Sequence, residues 1–157
     1  MTLPETRQSI TDLFYESAHC IDTDRLEEWI DFFTDDGVYK IVPKENYDRG
    51  LPAVIVWCDN KDMLRDRIVS LRNANVYNFH TDRHIIGNIR FLSEDAGVHA
   101  VESNYALYQT DPEGESRLFS VGIYMDKVVF LDGAAKFKER IVIVDTCAVH
   151  SMVSTPI

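Results

Sequence analysis

Two long stretches of alternating apolar and polar residues, joined by the dipeptide Asp132-Gly133, constrain this chain more than any other feature. Phe119, Val121, Ile123, Met125 and Val129 recur at period two before the dipeptide, and Lys136 to Thr146 read as a second strand after it. An Asp-Gly pair closes a tight hairpin, because its two positions take positive φ, and the strands it joins must run antiparallel. Looser alternation begins near Arg83 with Ile85, Ile89 and Phe91 and continues through Val101, Tyr105 and Leu107. Ser93-Glu94-Asp95-Ala96-Gly97 and Thr110 to Glu115 supply the intervening turns. The result is a meander of long strands, each with one buried face. The last strand is expected at the edge of the sheet, and Pro156-Ile157 behind it marks a docked end, against a partner or as a pocket lid.

The first third follows a different period. Thr2 and Glu5 can form a capping box ahead of Ile10, Leu13, Phe14, Ala18 and Ile21, which fall on one helical face. Asp24 and Glu27 repeat the signature before Leu26, Trp29, Ile30 and Phe33. Asp35-Asp36-Gly37 signals a turn, Val38 to Val42 a strand stopped by Pro43, Lys44 to Pro52 a polar loop, and Ala53 to Trp57 a short strand. Asp59 and Asp62 then cap a helix carrying Leu64, Ile68 and Leu71 that ends near Asn73 to Asn75. Helices first and strands after them specify an α+β fold, a cone-like curved antiparallel sheet wrapped around the N-terminal helices. The 157 residues suffice for one domain spanning 1–157.

A formal charge of −10 with no Lys/Arg-rich run would repel a phosphate backbone and argues against nucleic acid. No apolar run reaches the roughly 20 residues of a membrane helix, and the N-terminus lacks a signal-peptide pattern, which together predict a cytoplasmic protein. Cys20, Cys58 and Cys147 lie far apart in apolar stretches, as core thiols do.

No phosphate loop, Gly-x-Ser-x-Gly or Cys-x-x-Cys occurs. The densest polar run is Tyr77 to His84. In extended chain, His80, Asp82 and His84 project to one side, the inventory of a two-His, one-carboxylate iron site, although facial triads draw on more than one element. A hydrogen-bonded loop or a subunit contact explains the same run. General acid/base work in the cone would fall to Tyr39, Asp82, His84 or Tyr105, each of which also fits a satisfied core position. The run Asp59 to Arg67 reads as a docking surface or as a solvated helix face.

In this order, Asp35 to Tyr39, Pro43 to Asn46, Gly50-Leu51-Pro52, Asp62 to Arg67, Arg83 to Gly87 and Phe137 to Asp145 resemble the β (small) subunit of bacterial aromatic-ring-hydroxylating dioxygenases. The resemblance covers the chain from the first helix to the last residue. It implies a cone-like barrel of the nuclear-transport-factor-2 and ketosteroid-isomerase type, and a non-catalytic component of an oxidoreductase complex. No cofactor is implied on this chain. A Rieske iron–sulfur cluster and a mononuclear iron are expected on the large α subunit, which β subunits join around a trimer axis in a mixed hexamer. Carried over by position, Asp66, Arg67, Arg83, His84, Arg140 and Asp145 are scaffold or contact residues and none is an iron ligand. Pro43 to Asn46 and Gly50 to Trp57 are similar to small subunits of salicylate hydroxylases and of terephthalate or anthranilate dioxygenases, which implies an aromatic carboxylate as substrate of the complex. Ala148 to Thr155 departs from the apolar family tail, and only Pro156-Ile157 fits it. The rival readings are a free-standing isomerase or dehydratase with a His/Asp/Tyr pocket, and a carrier of small apolar molecules.

Overall fold

A computed structural model of the chain describes residues 1–73, 79–145 and 153–157. It opens with helix α1 (Leu3–Asp22), whose start is fixed by the expected reciprocal cap: Thr2 N–H donates to Glu5 at 2.7 Å while Glu5 N–H donates to Thr2 Oγ1 at 3.4 Å. Ile10, Leu13, Phe14, Ala18 and Ile21 are all buried. The second cap does not form. Asp24 adopts a positive φ of 57°, and its carboxylate joins that of Glu27 in holding Arg72 on a later helix. Only one turn of helix follows, α2 (Leu26–Trp29), continued by a 3₁₀ turn over Ile30–Phe32.

Strand β1 (Phe33–Pro43) absorbs Asp35-Asp36-Gly37 as a bulge rather than a turn. A Cβ on Gly37 would lie 2.8 Å from the Thr34 carbonyl, so only glycine fits this bulge. The expected polar loop contains a short helix, α3 (Lys44–Asp48), and the following strand is β2 (Val56–Cys58), shorter and later than expected. Helix α4 (Lys61–Asn73) is capped by Asn60, which accepts from Met63 N–H at 2.9 Å, and not by Asp59 or Asp62. Leu64, Ile68 and Leu71 are buried as expected.

Four long strands complete the chain: β3 (Thr81–Asp95), β4 (Val98–Thr110), β5 (Ser116–Leu131) and β6 (Ala134–Val144). Ala96-Gly97 and Asp132-Gly133 have positive φ at both positions, as a two-residue hairpin requires. The strand order is β2-β1-β6-β5-β4-β3, and the sheet is open. Two expectations fail here. The last strand, β6, is central rather than at an edge, lying between β5 and β1, and it runs parallel to β1, so the sheet is mixed. The chain's first and last strands are thereby paired, and α1 packs on β3 and β6.

The burial phase also departs from the apolar pattern. In β5 the inward residues are Gly122, Tyr124, Asp126 and Val128, while Val121 is 38% exposed and Ile123, Met125 and Val129 are half-buried. In β3, Ile85 is 57% exposed and Ile86 turns inward, and a bulge at Asn88, φ 52°, then shifts the register. The core unites the α1 face, Trp29, Tyr39, Tyr105, Tyr124 and Phe137 with the last residue, Ile157.

Candidate functional site

The interior of the curved sheet gathers four of the residues singled out from sequence, and each has a specific local partner. Tyr39 on β1 is fully buried; its hydroxyl donates to the Ile157 carbonyl at 3.1 Å and accepts from the Ile157 N–H at 2.9 Å. Asp82 on β3 accepts from Thr155 Oγ1 at 2.7 Å and from Gln109 Nε2 at 3.1 Å, with His80 Nε2 3.3 Å away. Tyr105 on β4 shares a 2.9 Å hydrogen bond with Ser120 and stacks on Tyr124, ring centroids 4.6 Å apart. His84 pairs through Nδ1 with Asp22 at 2.6 Å. The expected line of His80, Asp82 and His84 therefore separates into two pairs, His80 with Asp82 and His84 with Asp22. Among the described residues, no three His, Cys, Asp or Glu side chains converge as metal ligands.

Segment 153–157 closes the cone. Arg67 on α4 donates to the Val153 carbonyl at 3.1 Å, Thr155 holds Asp82, and Ser154, Pro156 and Ile157 are buried. The docked end expected from Pro156-Ile157 is present as a plug against Tyr39. Residues 146–152, which include Cys147 and His150, lie outside the described residues, as does the start of the Tyr77 to His84 run.

The six residues carried over by position divide in two. Asp66 is exposed on α4, Arg83 is exposed on the outer side of β3, and Asp145 is exposed just beyond β6, its backbone N–H bound to the Val121 carbonyl at 2.9 Å. Arg67, His84 and Arg140 face inward. Arg140 is 2% exposed and doubly bound to Asp126, at 3.0 and 2.9 Å, with its guanidinium 4.0 Å from the Phe137 ring centroid and 4.2 Å from that of Tyr124. Sequence reading missed Asp22 and Asp126, the acid partners of His84 and Arg140. Asp126 carried a signal, an acid in phase with Tyr124 and Val128, but apolar residues of the opposite phase obscured it.

Electrostatics follow burial. Desolvation would raise the Asp82 carboxyl, but hydrogen bonds from His80 and Thr155 outweigh it and hold the group below the ordinary carboxylate range. Burial pushes the Tyr105 and Tyr124 hydroxyls up, and takes Tyr39 from 10.0 to about 12 against the opposing hydrogen bond to Ile157. A raised folded-state value gives stability that is complete below the unfolded value and is lost as pH rises through the folded one. Urea midpoints are therefore expected to hold level to about pH 10 and then fall, with Tyr39 contributing about 2 kcal/mol of the loss by pH 12. Tyr39→Phe should be less stable at neutral pH and lose less on further alkalinisation. An alkaline fall of unchanged size in that variant would place the titration elsewhere.

Residues 16–151 match the model of a family described as the ring hydroxylating beta subunit. The chain belongs to this family. It is 47% identical over 137 residues to the anthranilate 1,2-dioxygenase small subunit of Burkholderia cepacia, covering 87% of this chain and 85% of the relative. It is 38% identical over 140 residues to the terephthalate 1,2-dioxygenase terminal oxygenase component subunit beta 2 of a Comamonas species, covering 89% and 91%. Among solved structures, a beta subunit assigned to an aromatic-ring-hydroxylating dioxygenase of Novosphingobium aromaticivorans superposes with a TM-score of 0.89 at 36% identity, over 98% of each chain. A chain assigned as a scytalone dehydratase from the same organism matches at a TM-score of 0.71 and 20% identity, covering 92% and 86%, which extends the fold to the nuclear-transport-factor-2-like class. As a ring-hydroxylating small subunit, this chain pairs with a large catalytic subunit, and such small subunits are in general not cofactor-binding. Among the described residues, no helix is long and apolar enough to cross a membrane.

Proposed function

We propose that this chain, as a single domain over residues 1–157, is the non-catalytic scaffold of a cytoplasmic oxygenase that attacks an aromatic carboxylate. The large subunit carries the Rieske cluster and the mononuclear iron, and copies of this chain assemble about a threefold axis into a mixed hexamer. One observation supports the scaffold role most directly: three of the polar side chains that general acid/base or ion-binding work in the cone would need are engaged by the chain itself, Tyr39 by Ile157, Asp82 by Thr155 and Arg140 by Asp126. The carboxylate class is supported by the identity to the anthranilate and terephthalate relatives. Arg67, His84 and Arg140 serve the scaffold from inside, and Asp66, Arg83 and Asp145 supply contacts to neighbouring subunits from the surface.

Purified alone, the chain is expected to be colourless and iron-free. Co-expressed with its large subunit, it should co-purify in equal proportion, with native mass spectrometry reading three copies of each. Stoichiometric iron on the isolated chain, or turnover by that chain without a large subunit, would overturn the assignment.

A further inference from the structure

The Asp22–His84 pair has a property that scaffolding does not require. The Asp22 carboxylate, at the end of α1, accepts from the His84 backbone N–H at 2.9 and 3.2 Å and lies 2.6 Å from the His84 Nδ1. An ionised carboxylate can only accept, so Nδ1 carries the ring proton, and in the neutral imidazole Nε2 is left as a lone-pair acceptor. The His84 side chain has no exposed surface, and its Nε2 has no hydrogen-bond partner among the described residues. A buried acceptor left this way forfeits its hydration with no return, and interior polar atoms are almost always satisfied, by protein or by an enclosed water. His84 faces Leu107 across the β3–β4 ladder, and the next inward pair is Ile86 with Tyr105. On its other side the inward pair is Asp82 with Gln109, so the orphaned nitrogen is a directed acceptor set between a polar and an aromatic neighbour.

We infer that His84 Nε2, its tautomer and orientation fixed by Asp22, is a receptor for an O–H donor held inside the cone, either a water molecule or the hydroxyl of a small phenol. This goes beyond the scaffold role and is independent of it: a chain that never assembled would still carry the site.

Ring nitrogen resonances of the full-length ¹⁵N-labelled chain test the inference, with phenol and benzene as probes. The expected spectrum has a protonated Nδ1 and a hydrogen-bonded, unprotonated Nε2. A saturable shift of Nε2 with phenol and none with benzene identifies a phenolic guest. No response to phenol, but magnetisation transfer to the ring from a long-lived water, identifies water as the occupant; either result supports the site. Asp22→Asn presents an amide N–H to Nδ1 and drives the proton to Nε2, so the acceptor becomes a donor and the resonance of an unprotonated Nε2 disappears. Should that variant not fold, the wild-type comparison of phenol with benzene decides alone. A protonated Nε2 in the wild type, equal shifts with both probes, or an unprotonated Nε2 free of any hydrogen bond would overturn the inference.

Discussion

Gly122→Ala is expected to destabilise the chain by about 3 kcal/mol or more, among the largest losses available from a single methyl group. A Cβ built there would lie 2.0 Å from the Ile143 carbonyl oxygen and 3.2 Å from Cε1 of Tyr105. The first atom is backbone of β6, paired on both sides and sealed between β5 and β1, so it cannot yield as a side-chain tip would. The second belongs to the ring stacked on Tyr124. Relief requires opening the β5–β6 ladder beside the Asp145–Val121 bond that ends it. Gly87→Ala is the control, since a Cβ there meets nothing within 4 Å. Urea titration should show a large fall in midpoint for the first and a small change for the second; equal shifts would show that strand glycine itself, and not the close approach, sets the effect. Fewer folded copies would reach the large subunit, so oxygenase yield should fall with stability while turnover per assembled complex is unchanged.

How much of this was legible in sequence depended on how far each residue's partner lay along the chain. The α1 cap was readable because Thr2 and Glu5 are three residues apart and satisfy each other. The tight turns were readable because Asp132-Gly133 and Ala96-Gly97 encode their own backbone geometry. Asp24 misled because the same residue type that caps a helix can ion-pair, and Arg72, 48 residues away, claims it. The inversion of β5 was hidden because both faces carry large groups. Val121, Ile123 and Met125 form the more hydrophobic set, yet the inward set of Tyr124 and Asp126 is selected by Arg140 on the neighbouring strand. The central position of β6 follows from its parallel pairing with β1, a contact between the two ends of the sequence that no local pattern announces. Asp22, 62 residues from His84, sits in a helix where an acid near the end gives no signal of a buried partner.

Asp126→Ala should cost about 3–5 kcal/mol, because it leaves the Arg140 guanidinium buried without a counter-charge. The neutral pairing Asp126→Leu with Arg140→Met should recover most of that loss. The reason lies in the pair's own electrostatics: burial pushes the Asp126 carboxyl above the ordinary carboxylate range despite the pull of Arg140, so ionising this site is costly and its charges stabilise less than their geometry suggests. What the apolar pair cannot replace is the position of the guanidinium, which stands over Phe137 and Tyr124 on the sheet and 4.9 Å from the Phe14 ring of α1. The ion pair fixes the angle between that helix and the two central strands, and in the proposed scaffold this angle also sets the relation between the helical and sheet surfaces offered to neighbouring subunits. The double variant is therefore expected to unfold near the wild-type urea midpoint and yet to co-purify less completely with the large subunit. Full recovery of assembly together with stability would reduce the pair to an ordinary core contact, and a double variant as unstable as Asp126→Ala would show that the charges themselves hold the fold.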